Sequence, residues 1–170
     1  MPPILLLSMS SIQIIYGTTG GNTELVCRTV AEFLREAGQE VSLKRAEMAV
    51  PEDLTSHDLL ILACPTYGHG ELEPHYLYFH KKIQKVDLAG QNCTVIALGD
   101  AKYDEDHRLE SSGILLRYIT THGGKLLCPP LAINKSPIPV LQTQVKDWTD
   151  QLIQKLSPLP QPSPTEGRGS

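Results

Sequence analysis

The feature that most constrains the fold is an apolar run that breaks into a glycine- and threonine-rich loop and then opens an amphipathic segment. Residues 12–16 are typical of a short buried strand, and after residue 24 apolar side chains recur at helical spacing until Gly38. The loop between them, residues 17–23, therefore lies at a helix N-terminus, where unpaired N–H groups and the helix dipole attract anions. Its hydroxyl and amide side chains can add hydrogen bonds. The sequence thus predicts a phosphate site here.

The same loop lacks the residues of two common phosphate-binding motifs. Its glycines stand at positions 17, 20 and 21, and it contains no Lys or Arg. It therefore matches neither a Walker loop, which ends in Gly-Lys-Ser/Thr, nor the Gly-x-Gly-x-x-Gly fingerprint of dinucleotide-binding proteins. Nucleoside triphosphate and NAD are both disfavoured as ligands. The remaining alternative is a plain strand-to-helix turn with a threonine cap.

Strand-like and helix-like segments alternate along the rest of the chain. The predicted strands are residues 12–16, 41–45, 59–63, 94–98 and 125–128, and the last helix carries Leu141, Val145, Trp148, Leu152 and Leu156 on one face. Near-continuous apolar strands separated by helices predict a parallel sheet covered on both faces. The predicted fold is α/β: a doubly wound five-stranded parallel sheet of order 2-1-3-4-5 in a three-layer sandwich. Its ligand crevice lies at the carboxyl ends of strands one and three.

Length and composition indicate one domain flanked by two tails. The chain has 170 residues, of which 41% are hydrophobic, enough for one core. Residues 11–156 are predicted to form the domain, residues 1–10 an N-terminal extension without the charged start of an export signal, and residues 157–170 a disordered tail rich in Pro, Ser and Gly.

Charge and cysteine usage restrict the partners and the compartment. Fifteen basic against nineteen acidic residues give a net charge of −4, which argues against nucleic acid or an anionic membrane and favours a basic protein partner. The four cysteines are widely spaced in apolar contexts, form no Cys-x-x-Cys pair, and are predicted to be buried free thiols in a reducing cytoplasm.

Two later loops each place one tyrosine a few residues beyond a strand end. Tyr67 follows the third predicted strand and Tyr103 follows the fourth. Aromatic side chains beside a phosphate site suit a flat, phosphorylated aromatic ligand, because each stacked pair contributes about 0.5–1.5 kcal/mol beyond burial.

Histidines and carboxylates near these loops have simpler interpretations. The histidines that could suggest a metal site are scattered, and we expect them to be solvated: His69, His75, His80 and His107. The carboxylates lack the spacing of a calcium loop and are predicted to form a solvated acidic rim: Glu71, Glu73, Asp100, Asp104, Glu105 and Asp106.

Taken with their order along the chain, the three loops resemble those of a flavodoxin of the short-chain type, an FMN-binding one-electron carrier. The resemblance covers residues 11–156, and no long insertion interrupts the region of residues 131–136. It implies that residues 18–23 hold the FMN phosphate and that Tyr67 and Tyr103 enclose the isoalloxazine ring. The implied cofactor-binding residues are Thr18, Thr19, Gly20, Gly21, Asn22, Thr23, Pro65, Thr66, Tyr67, Gly68, His69, Leu98, Gly99, Asp100, Tyr103 and Asp106.

The chain departs from the family pattern at Gly20, where the phosphate loop usually carries a hydroxyl. The missing donor costs about 0.5–1.5 kcal/mol unless the backbone approaches the phosphate more closely.

The resemblance implies a monomeric low-potential electron carrier whose acidic flavin edge docks on basic redox partners, a reductase and an acceptor enzyme. The alternative is a flavin-dependent NAD(P)H quinone or nitro-compound reductase, which would need longer loops than these. A phospho-receiver is disfavoured because Tyr16-Gly17 and Cys64-Pro65 stand where acidic residues are required.

Overall fold

A computed structural model describes residues 9–67, 70–99 and 110–156. Its strands are β1 (Ser11–Tyr16), β2 (Glu40–Arg45), β3 (Leu59–Tyr67), β4 (Glu71–Leu72), β5 (Asn92–Leu98), β6 (Lys125–Leu126) and β7 (Leu131–Ile133). The sheet runs in the order β2-β1-β3-β5-β6, with β7 also paired with β5 and every one of these ladders parallel. The doubly wound α/β fold predicted from the sequence is therefore confirmed.

In the part of the chain that the structure describes, four α-helices cover the sheet, and the π turn that precedes the last one continues into it. They are α1 (Asn22–Glu36), α2 (Pro74–Lys82), α3 (Glu110–Thr121) and α4 (Lys146–Leu156), with 3-10 turns at Ala46–Met48, Pro51–Leu54 and Ile138–Val140 and a π turn at Leu141–Val145. Helix α1 stops at the expected glycine, because Gly38 adopts a φ of +90°, which other residues rarely adopt. Among the described residues, none of the helices has both the length and the hydropathy that a membrane crossing requires.

Two hydrophobic clusters, one on each side of the sheet, form the core. Alternate residues of β3 point to opposite sides, so that Ile61 joins one cluster and Leu62 the other. The first cluster packs against α1 and α4, and the second against α2 and α3. This is the three-layer sandwich that the near-continuous apolar strands predict.

The strand predicted at residues 125–128 is instead divided into β6 and β7. Both pair with β5, at Cys93↔Leu126 and at Ile96↔Leu131. Pro129 and Pro130 lie between them and have no N–H group to donate to a ladder, which explains the interruption.

The third strand is also longer than the sequence predicts. Beyond Ala63 it continues to Tyr67, and its last residues pair antiparallel with β4, at Thr66↔Leu72 and Tyr67↔Glu71. The sequence predicts a loop here, because the pairing with β4 leaves no local hydrophobic period.

All four cysteines are free and buried, as predicted. Burial raises the pKa of the Cys93 thiol to about 12, and raises the pKa of Cys27 and Cys64 as well. The thiols therefore behave as small apolar side chains of the core.

Candidate functional site

The loop between β1 and α1 presents backbone donors at its outer side. Its last residue, Gly21, caps α1 with a φ of +95° and has no side chain to accept the first N–H groups of the helix. Helix geometry leaves the N–H groups of Asn22, Thr23 and Glu24 without intrahelical acceptors. Inside the loop, Gly21 N–H donates to Thr18 Oγ1 at 2.9 Å and closes a tight turn.

The loop glycines differ in what surrounds them. A Cβ atom added at Gly20 or Gly21 would meet nothing within 4 Å, whereas one at Gly17 would lie 2.5 Å from Glu73 Oε1 and 2.7 Å from Tyr76 Cβ. Gly17 is therefore required by internal packing, and the space over Gly20 and Gly21 is open. An exposed, open backbone at a helix N-terminus fits the phosphate group of a nucleotide cofactor.

Glu73 lies beneath this loop and is fully buried. Its Oε1 accepts the Tyr76 N–H at 3.0 Å and so caps α2, which begins with Pro74. Its Oε2 accepts the Thr19 hydroxyl at 2.8 Å and contacts His75 Nδ1 at 2.7 Å. One carboxylate thus joins the phosphate loop to the start of α2.

Glu73 was assigned to the solvated acidic rim, and that prediction is wrong. The sequence did contain a signal, because a Pro at the first helical position marks the preceding residue as a cap. Glu71, two residues earlier, is exposed as predicted. The remaining predicted rim residues, Asp100, Asp104, Glu105 and Asp106, lie outside the described residues.

The histidines that were predicted to be solvated differ in their exposure. His75 is exposed, in agreement with the prediction, whereas His80 is only partly exposed and its Nδ1 is buried. The expectation of a solvated His80 is therefore wrong, because α2 turns that side chain toward Tyr118 on α3, with ring centroids 5.5 Å apart. His69 and His107 lie outside the described residues.

Charged side chains surround the first turn of α1. Glu24 is bonded by Arg28 at 2.8 Å and by Arg45 at 3.1 Å, and Arg45 also bonds Glu47 at 2.9 Å. The fold thus brings cations next to a loop that has none, but both guanidinium groups are already engaged with carboxylates.

The end of β3 is fixed by a buried hydroxyl network. The Thr66 hydroxyl donates to Ser111 Oγ at 3.1 Å and accepts the Ser111 N–H at 3.0 Å, while the Ser111 hydroxyl donates to the Cys64 carbonyl at 3.0 Å. The Thr66 side chain is thus committed to α3, and Thr66 is buried. Tyr67, the next residue, is partly exposed.

The carboxyl ends of the central strands meet at one edge of the sheet. Tyr16 lies beside Ala63 in the ladder, and Pro65 lies beside Leu98. Gly99 N–H donates to the Ile133 carbonyl at 2.8 Å, which holds the chain as it leaves β5.

The structure thus brings part of the predicted site together. The predicted residues at this edge are Thr18, Thr19, Gly20, Gly21, Asn22, Thr23, Pro65, Thr66, Tyr67, Leu98 and Gly99. The predicted residues Gly68, His69, Asp100, Tyr103 and Asp106 lie outside the described residues.

A parallel sheet of this order, with an anion loop after its first strand, defines the class of flavodoxin-like α/β proteins. The sequence model of the Flavodoxin family matches residues 14–148. The chain belongs to the flavodoxin family, as a short-chain member, and the resemblance predicted from the sequence is confirmed.

Individual relatives agree with this assignment. A flavodoxin of Synechocystis sp. is 32% identical over 120 residues, which are 69% of this chain and 68% of that protein. The solved structure of oxidised flavodoxin 2 from Bacillus cereus has a TM-score of 0.79 at 27% identity, and the match covers 85% of this chain and 99% of that one. A Fusobacterium nucleatum flavodoxin solved bound to flavin mononucleotide shares the fold, with a TM-score of 0.71 at 18% identity over 86% of this chain and 99% of that chain.

Proposed function

We propose that this chain binds FMN and carries single electrons between redox enzymes. Membership of the flavodoxin family, whose cofactor is FMN, supports the proposal. The observation that carries it is the open phosphate loop at the carboxyl ends of β1 and β3, with Tyr67 partly exposed at the end of β3. When bound, FMN supplies the redox chemistry, and the chain binds and orients it.

The residues proposed to hold the cofactor have separate tasks. The loop backbone of Thr18, Thr19, Gly20 and Gly21, the N–H groups at the start of α1 and the side chains of Asn22 and Thr23 bind the phosphate. Tyr67 and Tyr103 enclose the ring, and the backbone at Pro65 and Thr66 contacts its edge. Of the remaining predicted residues, Gly68, His69, Leu98, Gly99, Asp100 and Asp106 complete the contacts.

A comparison of FMN with riboflavin tests the phosphate site. We expect the apoprotein to bind FMN at 1:1 stoichiometry and more tightly than riboflavin, as followed by quenching of flavin fluorescence. Thr23→Val should weaken FMN binding more than riboflavin binding, because it removes a hydroxyl that only a phosphate uses.

The matched control is Thr29→Val on the same helix. The Thr29 hydroxyl donates to the Leu25 carbonyl at 2.9 Å within α1, so we expect no effect on the preference for FMN over riboflavin. Equal losses of FMN and riboflavin in Thr23→Val would mean that Thr23 only supports the helix start.

An electron carrier and a quinone or nitro-compound reductase differ in whether the protein oxidises NADPH without a partner enzyme. We expect the FMN-loaded chain to pass electrons from a flavodoxin reductase and NADPH to cytochrome c, and to leave NADPH unoxidised when only a quinone is added. Steady NADPH oxidation by the chain and a quinone alone would reject the carrier.

We further infer that the chain works as a monomer in the cytoplasm and docks on basic partner surfaces. The net charge of −4 and the four free, buried thiols support this inference. Size-exclusion chromatography and the salt dependence of the reductase reaction test it, with a rate that falls as salt screens the attraction.

A further inference from the structure

The buried carboxylate under the phosphate loop fixes the direction of one hydrogen bond. Glu73 is fully buried and accepts an N–H from α2 as well as a hydroxyl from the loop. Both carboxyl oxygens are acceptors, Oε1 of the Tyr76 N–H and Oε2 of the Thr19 hydroxyl, so the Thr19 hydroxyl donates to Glu73. The only hydrogen of that hydroxyl is therefore directed away from the outer side of the loop.

This arrangement has two consequences for an anion over the loop. The Thr19 oxygen can offer only lone pairs to it, and the Glu73 carboxylate places negative charge on the protein side of the same loop. Both disfavour a phosphate dianion, and neither affects a neutral ligand. His75 Nδ1, at 2.7 Å from the same carboxylate, adds a positive charge only when its ring is protonated.

Other charged and titratable groups near Glu73 do not cancel this effect. The Cys64 thiol, which accepts the Glu73 N–H at 3.4 Å, is buried and its pKa is raised by that burial, so it stays neutral. The Arg45 guanidinium is bonded to Glu24 and Glu47.

We propose that Glu73 is a specificity-determining residue that weakens the preference of the loop for a phosphorylated flavin, by holding the Thr19 proton and by its charge. Gly20, the next residue, has no side-chain hydroxyl that could replace the Thr19 proton. The inference rests on the proposed function, since it takes FMN as the ligand of this loop.

Glu73→Gln tests the proposal with the least disturbance. The amide oxygen can still accept the Tyr76 N–H, so the cap of α2 is retained, and the amide nitrogen then replaces Oε2. It donates to Thr19 Oγ1, which frees the Thr19 proton for a phosphate. At pH 8, where a phosphate monoester is a dianion, we expect the ratio of the riboflavin Kd to the FMN Kd to rise about tenfold.

The matched control is Glu71→Gln, which removes the same charge from an exposed position on β4. For Glu71→Gln we expect the ratio of the riboflavin Kd to the FMN Kd to change less than twofold, because a solvated carboxylate interacts weakly with a distant anion. An unchanged or lower ratio in Glu73→Gln would overturn the proposal, and so would an equal rise in Glu71→Gln.

A double-mutant cycle with Thr19→Val separates the proton from the charge. Because the native Thr19 proton is committed to Glu73, Thr19→Val alone should change the ratio by less than about twofold. In the Glu73→Gln background the same substitution should remove most of the gain. If Thr19→Val alone lowers the ratio about tenfold, the native Thr19 hydroxyl already donates to the phosphate and the proposal is wrong.

The single variant Thr19→Val decides the question even if Glu73→Gln fails to fold, which thermal melting of the apoprotein would reveal. A native protein that does not distinguish FMN from riboflavin would reject the proposed function itself. A native protein that distinguishes them, but whose ratio does not respond to Glu73→Gln, would reject only this inference.

Discussion

The two sides of the sheet are built from different side chains. The side covered by α1 and α4 is mostly aliphatic, and its one tryptophan, Trp148, donates to the Pro129 carbonyl at 2.8 Å. The side covered by α2 and α3 contains Tyr76, Phe79 and Tyr118 next to His80. The first is therefore stabilised mainly by apolar packing, and the second also depends on polar atoms and their protonation.

The two sides also differ in buried polar atoms without hydrogen-bond partners. Within the described residues, Tyr76 Oη and His80 Nδ1 have no hydrogen-bond partner, and both belong to α2. That helix starts at Glu73, directly beneath the phosphate loop. The side that contains these unpaired polar atoms is thus joined to the phosphate loop through Glu73.

We expect the largest effect on the free energy of unfolding from truncating a buried side chain on the aliphatic side. Leu34 on α1 is fully buried in the first cluster. Leu34→Ala should lower the free energy of unfolding by about 2–5 kcal/mol, because it removes apolar contacts and leaves a cavity. Urea unfolding should give the same loss at pH 5 and at pH 8, since no titrating group is involved. A loss that depends on pH would mean that the two sides do not differ as described.

The aliphatic side is also the part of the fold that sequence reasoning predicts best. The strands around Ile14 and Ile61, the loop at residues 17–23 and the end of α1 at Gly38 all follow from local hydrophobic pattern and turn chemistry. These signals act over a few residues, so a single sequence is enough to read them.

The parts that sequence reasoning missed have two kinds of cause. The first is local: the pairing of Tyr67 with Glu71 has no hydrophobic period to reveal it, and β6 and β7, separated by Pro129 and Pro130, are identified only by their pairing with β5. The second is a distant contact, because Glu73 Oε2 accepts the hydroxyl of Thr19, which is 54 residues away in sequence. A carboxylate next to other acidic residues looks solvated until the fold brings its donors together.

A matched pair of tyrosine substitutions sharpens the comparison within the second side. The Tyr118 hydroxyl donates to the Ile83 carbonyl at 2.7 Å, whereas the Tyr76 hydroxyl has no partner among the described residues. Tyr118→Phe should therefore cost about 0.5–1.5 kcal/mol of unfolding free energy, and Tyr76→Phe should cost nothing or stabilise the protein. Thermal and urea unfolding of both variants measure this, and a larger loss in Tyr76→Phe would contradict the assignment of an unsatisfied hydroxyl.

The smallest expected effect is the pH dependence that His80 gives to the second side. Burial, and secondarily the nearby His122, lowers the pKa of His80 in the folded protein. As the pH falls, His80 therefore takes up a proton in the unfolded chain before it does so in the folded protein. The free energy of unfolding has its full value above about pH 6.5 and decreases as the pH falls below it. His80→Phe should keep the aromatic packing against Tyr118 and reduce this acid loss by less than about 1.4 kcal/mol per pH unit, the limit for one proton. The Leu34→Ala variant should keep the acid loss in full, because the substitution leaves His80 and its surroundings on the other side of the sheet unchanged. If both variants showed the same acid loss as the native protein, the pH sensitivity would not come from His80, and the contrast between the two sides would be limited to packing.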